Sequence, residues 1–518
     1  MNQSRSGSGL LRSGAVVGAM TMLSRVMGLG RDVVIATLFG AGSGADAFFI
    51  AFRIPNFMRR LFAEGAFNQA FVPVLSEYAT QREHRETREL LDATAGTLTL
   101  VLLALTVIAV VCAPWLVWVF APGFHDDGHG KLALTADMLR ITFPYLLLIS
   151  LTAFSGSVLN SYSRFAVPAF TPVLLNLVMI AAALWLSPLL DVPVMALAWG
   201  VLLAGLAQLL FQLPFLARLD LLPRLRPSFR HQGVRRILRL MGPAMFGVSV
   251  SQINLLVDTV LASLLVSGSV SWLYYSDRLV ELPLGVFGIA IGTVILPALS
   301  RQHATDDPAH FARMIDWGVR AVLLIGLPAA LALLVLAEPL LVTLFQYGAM
   351  TEHDIMMSAM SLRAYAVGLL AFMLIKVLAP GYYARQDTAT PVKIGIIAMV
   401  ANMGLNVLLM GPFIHAGLAL ATSLSAWLNA GLLARGLRRQ GVMHFQPGWG
   451  KLAGQLGGGC LLLTGGLWWL TPEWHHWLAW GLPRRLGVII ALVSGGVAVY
   501  FAWLAVTGVR LRHFRLHG

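Results

Sequence analysis

The stretch "LSRVMGLGRD" (23–32) sets Arg25, Arg31 and Asp32 between two apolar runs, "AVVGAMTM" and "VVIATLFG". Arg53, Arg59 and Arg60 follow in the next apolar segment, together with Asp46 and Glu64. Guanidinium groups at this density suit one kind of chemistry. They grip phosphate or carboxylate oxygens through planar, two-pronged hydrogen bonds. No HExxH, GxSxG or Walker-like run occurs in the chain, so the residues point to holding an anion and not to breaking a bond.

The setting makes these charges costly. A charged side chain at the centre of a bilayer costs about 2.5–3.5 kcal/mol. Arg25, Arg31, Arg53, Arg59 and Arg60 facing lipid at mid-depth would together cost roughly 15 kcal/mol, more than a typical domain's whole stability. Those near mid-depth are expected to face water or each other. Asp46, Arg53 and Arg60 recur at heptad spacing, which keeps them on one slowly drifting stripe. Glu64 lies one turn beyond Arg60, at ion-pair spacing. On a straight helix Arg25 and Asp32 share a face and Arg31 lies about 120° from Arg25. Gly28 and Gly30 are placed to allow a bend that turns both arginines inward. Further on, "SDRLVELP" (276–283) gathers Asp277, Arg278 and Glu281 within one turn. Pro55 and Pro283 are expected to interrupt their helices. Two readings compete. The charges pair internally and pin helices, as Arg60 with Glu64 or Arg278 with Glu281 would, or they line a cationic cavity for an anionic substrate. The excess of arginine over acid in the first two spans favours the cavity.

The elements that must carry these residues are membrane helices. Of 518 residues, 58% are hydrophobic and 12% charged. A soluble domain carries about 25% charged residues. Apolar segments near the ~20 residues needed to cross a bilayer fall at 13–40, 44–78, 92–121, 133–160, 167–189, 193–217, 237–266, 270–299, 315–346, 357–383, 390–411, 415–434, 452–471 and 486–508. The fold class is therefore an all-α, multi-pass membrane protein of about fourteen transmembrane helices. The N-terminus is expected to lead directly into the first helix and not to be a cleaved signal. Arginine-rich loops, above all that between 218 and 239, alternate with loops holding only Lys131, Arg484 and Arg485. The positive-inside rule then places both termini in the cytoplasm. The net charge of +13 is explained by those loops, so no nucleic-acid partner is expected. "WWLTPEWHHWLAW" (468–480) fits an aromatic belt at the outer interface. Cys112 and Cys460 lie in apolar segments and are expected to be packing residues.

The chain also repeats. "PVLS" (73–76), "PWLVWVFAPG" (114–123), Tyr162 with Arg164, and "TPV" (171–173) recur in order as "PALS" (297–300), "PLLVTLFQYG" (339–348), Tyr383 with Arg385, and "TPV" (390–392). The offset is nearly constant, as duplication of a six-helix unit would give. An even number of spans makes the repeats parallel, an arrangement that sets a transporter's substrate site between halves. The expected organisation is a lobe over 1–217, a basic cytoplasmic linker over 218–236, a second lobe over 237–434, and two further helices with a cytoplasmic tail over 435–518.

Several motifs resemble the MurJ/MviN family of bacterial lipid II flippases. They are "SRVMGLGRDVVIATLFGAGSGADAFFIAFRIPNFMRRLFAEGAFNQAFVPVLSEY" (24–78), "GPAMFGVSVSQINLLVDTVLAS" (242–263), "SGSVSWLYYSDRLVELPLGVFGIAIGTVILPALS" (267–300) and "VLAPGYYARQDTATPVKI" (377–394). The resemblance implies a fourteen-helix exporter of the multidrug/oligosaccharidyl-lipid/polysaccharide superfamily in the bacterial inner membrane. Its substrate would be the undecaprenyl-pyrophosphate-linked peptidoglycan precursor, moved outward by alternating access and chemically unchanged. By the same resemblance Arg25, Arg31 and Arg278 contact the pyrophosphate, Asp46 lies near an outer gate, and Arg59, Arg60 and Glu64 match "RRLFAEGAF". Glu281 follows Arg278 as the family pattern expects, and the last two helices form a groove for the polyprenyl tail. The expected partners are lipid II, membrane lipids and cell-wall synthesis proteins, with a monomeric carrier.

No cofactor is expected, though two couplings are open. An inside-negative potential drives an anionic headgroup outward by about 2.3 kcal/mol per charge per 100 mV and returns empty cationic sites inward. Asp258, Asn402, Asn406 and Thr422 offer oxygen ligands, and the resemblance allows a sodium site there. Interhelical hydrogen bonding explains the same residues. Three other functions remain: a flippase for another polyprenyl-linked glycan, a drug or cation antiporter of the same superfamily, and an intramembrane enzyme. The antiporter would want an acidic cavity, and the enzyme a carboxylate cluster or a nucleophile–base pair.

Overall fold

The computed structural model describes residues 3–125, 130–285, 295, 299 and 308–509, with the side chains at 3–15, 63–64, 246–248, 250–251 and 308 outside the described set. All regular structure among the described residues is helical, and the helices group into two compact units, Met1–Ser271 and Trp272–Gly518. Eight of the described helices are long and apolar enough to cross a bilayer by length and composition. The arginine-bearing helices at the start of the chain fall outside that set because their charges dilute the apolar run.

The first unit starts with α1 (Gln3–Phe39), which lies along α8 (Ala166–Ala181). The second expected span is α2 (Ser43–Arg59), a π-helical stretch Arg60–Phe67, and α3 (Asn68–Gln81) in series. Pro55 does not interrupt it: α2 runs through the proline, and the departure from α-helix comes one turn later, at the π-helical stretch. Such bulges reset which residues face a neighbour. Then follow α4 (His84–Val111), α5 (Ala113–Phe120), α6 (Lys131–Thr142), α7 (Tyr145–Ser161), α8, α9 (Met195–Ala217) and α10 (Gln232–Ser263). Phe71 stacks on Phe67 at 5.0 Å and packs at a tilt against Phe154 at 5.1 Å, within an apolar core shared by α3, α4, α7, α9 and α10.

The linker before α10 is docked, not loose. The backbone N–H of Arg224 donates to Asp92 Oδ1 at 2.7 Å, and that of Ser228 to Thr97 Oγ1 at 3.1 Å. Gly96 makes this possible, because a Cβ there would fall on the backbone of Arg226 and Pro227. The compact units and the lobes expected from the repeat divide the chain differently. The repeat puts α10 at the head of the second lobe, whereas its packing joins it to the π-helical stretch and α3.

In α11 (Ser269–Pro283) the chain passes into the second unit, which holds α12 (Pro308–Val335), α13 (Ala337–Phe345), α14 (Glu352–Tyr383), α15 (Ala389–Arg439), α16 (Trp449–Leu470), α17 (Trp474–Ala479) and α18 (Leu482–Val506). A capping box between Thr351 and Asp354 starts α14. The two spans expected at 390–411 and 415–434 meet in α15 at Ile414, whose φ of 52° breaks the helix just after Pro412. Gly417 lets the chain pack back there, since a Cβ would strike the Leu409 carbonyl.

The last helices, outside the repeat, are clasped to the rest of this unit. Trp449 Nε1 donates to Asp316 Oδ1 at 2.7 Å, and Arg320 pairs with the same carboxylate at 2.7 Å. Tyr500 Oη donates to the Leu324 carbonyl at 2.8 Å. Arg485, read from sequence only as a loop charge, is buried and donates to four backbone carbonyls, those of Val342, Gln346, Trp477 and Leu478, and to Gln346 Oε1. Cys112 and Cys460 are free thiols.

Candidate functional site

The arginines singled out by the sequence are distributed over several local arrangements. In α1, Arg31 is buried and its Nε and Nη2 both donate to Asp32 Oδ1, at 3.0 and 2.7 Å. The side chain therefore folds toward its neighbour in the chain. Arg25 is half-buried. Asn176 of α8 donates to the Ser24 carbonyl at 3.0 Å and lies against Gly28, fixing this part of α1.

In the second span, Arg53 Nη1 donates to Thr259 Oγ1 of α10 at 2.9 Å. Arg59 Nε donates to Asn56 Oδ1 at 3.1 Å, and Arg60 is exposed. The Glu64 side chain lies outside the described residues, so the expected Arg60–Glu64 pair is not observed either way.

Asp46, at the start of α2, is the most densely bonded of the candidates. It is 1% exposed. Lys131 Nζ reaches its Oδ2 at 3.1 Å, the Gly268 N–H donates to Oδ2 at 2.7 Å, and the Ser271 N–H and hydroxyl donate to Oδ1 at 2.9 and 2.6 Å. Lys131 is itself buried, donates to Ser267 Oγ at 3.2 Å and lies over the Phe124 ring at 4.3 Å. The carboxylate thus caps the first turn of α11 from another helix, while the lysine cancels its charge. Sequence reading missed Lys131 and treated it as an outer-loop charge. Its one sequence signal is rarity, as one of four lysines in the chain.

In the second unit Arg278 pairs with Glu281 at 2.7 Å and lies over the Tyr274 ring at 4.7 Å, with Asp277 exposed beside it. The pairing expected from the i, i+3 spacing is present. Both members are partly exposed, so the arrangement holds the guanidinium in place without sealing it off. Asn402 and Asn406 are buried on one face of α15; the Thr422 hydroxyl donates to the Leu418 carbonyl at 3.0 Å, and Ser425 Oγ reaches Asn402 Oδ1 at 3.4 Å. Asp258 belongs to the first unit.

The family model described as "Lipid II flippase MurJ" matches residues 35–486. A probable lipid II flippase MurJ of Vibrio cholerae is 51% identical over 98% of both chains. The lipid II flippase MurJ of Burkholderia cenocepacia is 44% identical over 98% of this chain and 99% of its own. Among solved structures, a lipid II flippase MurJ in an inward closed conformation superposes with a TM-score of 0.79 at 26% identity, over 95% of this chain and 98% of that one. An inward-facing multidrug transporter of the MATE family matches with a TM-score of 0.64 at 16% identity, over 83% and 98%. At that identity the likeness shows a shared fold alone.

Proposed function

The chain belongs to the lipid II flippase MurJ family, and from that premise we propose how this multi-pass membrane protein carries its substrate. It flips lipid II, the polyprenyl-linked peptidoglycan precursor. We place it in the bacterial inner membrane as a monomer of fourteen spans with both termini in the cytoplasm, working by alternating access and leaving lipid II unaltered. The diphosphate is held by Arg25, Arg31, Arg53 and Arg278, with Arg59 and Arg60 toward the cytoplasmic end.

One observation carries the arginine assignment. Guanidinium groups in α1, α2 and α11 are braced by neighbouring oxygens and rings, those of Asp32, Thr259, Glu281 and Tyr274. A guanidinium so supported keeps its charge and its planar fork, which match a diphosphate. The Asp46–Lys131 cluster closes the outer end in our reading, and outward release requires it to part. The antiporter reading is disfavoured, because a cationic drug would meet a surplus of guanidinium groups.

The test is depletion of the native flippase and complementation by Arg25→Ala, Arg31→Ala and Arg278→Ala, scoring lipid II accessible at the outer leaflet. Each variant is expected to abolish export at normal protein level. Wild-type export by the triple variant would refute the assignment. Membrane voltage resets the empty arginines in this reading, and flipping unchanged at zero potential in liposomes would remove that step. Sodium at Asp258, Asn402, Asn406 and Thr422 is the second coupling, eliminated if replacing sodium leaves flipping unaltered.

A further inference from the structure

We propose that the pocket at the end of α15 binds the phosphate headgroup of a lipid. The pocket has a volume of about 410 Å³ and is lined by Gly431, Ala434, Arg435, Arg438, Arg439 and Phe445. The three arginines stand at i, i+3 and i+4, so they leave the helix on one face. Gly431 and Ala434, one turn earlier, supply the space, and Phe445 closes the far side with Arg438 over its ring at 4.9 Å.

Among the described residues no carboxylate pairs with any of the three. Other arginines of this unit are neutralised: Arg320 by Asp316 and Arg363 by Glu338. Like charges at this spacing repel one another, and a phosphate between them would offset that repulsion through paired N–H donors. A topological role alone requires basic residues at a helix end, but it requires no concavity.

The helix above the pocket fits a lipid's chain. Leu424 and Leu428 are both exposed and stand 11 and 7 residues before Arg435, on the same stripe as Gly431. An apolar track therefore leads along α15 into a basic cup. The chemistry recognised is a phosphate ester on a long apolar chain. A resident anionic phospholipid and the polyprenyl diphosphate of the substrate share it. Placing the cup at the cytoplasmic leaflet rests on the orientation proposed above; the binding itself does not.

The test uses full-length protein in phosphatidylcholine nanodiscs, titrated in one arm with phosphatidylglycerol and in another with undecaprenyl diphosphate, bound lipid being counted by native mass spectrometry. Arg435→Gln/Arg438→Gln/Arg439→Gln is expected to weaken binding about tenfold in at least one arm, as loss of charge-assisted contacts would. Loss with phosphatidylglycerol alone identifies a resident lipid, and loss with the diphosphate alone a station for substrate. Equal affinity of wild type and variant in both arms overturns the site. Should the triple variant misfold, Arg438→Gln carries the same comparison, with a loss of about threefold expected. Transport is not read here, so failure of the cavity arginines in the export assay would leave this result standing.

Discussion

Replacing Lys131 with Met should loosen the Asp46 end of the first unit without unfolding it. In the closed arrangement the Asp46 carboxylate holds Lys131 Nζ at 3.1 Å, with side-chain exposures of 1% and 3% respectively. Removing one member of a buried pair costs about 3–5 kcal/mol. Three donors from Gly268 and Ser271 stay on the carboxylate, which argues for the low end, about 3 kcal/mol. At about 1.4 kcal/mol per decade the open population rises about 100-fold. Ser269→Cys in a Cys112→Ser background reports it. Ser269 is fully buried and its hydroxyl has no hydrogen-bond partner, so a thiol fits with little cost. Labelling by a membrane-impermeant maleimide follows the open population when opening is fast. Cys460, buried in the second unit, serves as the unfolding control. Lys131→Met should raise labelling at position 269 about 100-fold and leave Cys460 unchanged. Asp46→Asn with Lys131→Met should fall short of the product of the single effects, as coupled partners do. A Lys131→Met rate within about threefold of wild type, or strict multiplicativity, would refute the latch.

Three further outcomes follow from the same structure. His231 Nδ1 accepts the Gly233 N–H at 3.2 Å to cap α10, and burial holds its pKa below the usual 6.5, with Glu89 opposing that shift and Arg82 adding to it. The unfolded end takes up the proton first, so the cap's contribution is complete above about 6.5 and is lost as pH falls through the lowered native value. Trypsin cleavage at Arg235, measured relative to a non-titrating His231→Asn variant, should therefore accelerate below pH 6.5; a flat ratio would contradict this. Gly96→Ala should push the 224–228 segment off α4 at a cost of about 1–3 kcal/mol, typical of overpacking, and expose that segment to protease; unchanged cleavage would mean the docking is dispensable. Arg485→Lys should lower the melting temperature measured in detergent, because three rotatable donors cannot serve five oxygens held around a planar fork. An unaltered melting temperature would show that water replaces those bonds.

Much of this protein was legible before any coordinates. The apolar segments could only be helices, because a backbone in lipid must bond to itself, and the expected spans within the described residues fall on helix. Arg278 with Glu281 was also readable, since three residues on a helix fix their distance whatever the tertiary structure. Pro55 was misread because helix interruption depends on whether a neighbour takes up the carbonyl that the proline leaves unbonded, here that of Ala51, which accepts from Thr142 Oγ1 of α6 at 2.9 Å. Lys131 was invisible for a stronger reason. Its partner stands 85 positions away and a second hydrogen-bond acceptor, Ser267, 136 away, and no local periodicity encodes such meetings. Thus the sequence alone determined the solvent of each segment and the charges it could not hide, because those follow from transfer energies residue by residue. Only the tertiary structure decided which oxygen each charge meets, because that depends on helix packing, where side chains far apart in the chain are brought within a hydrogen bond's length.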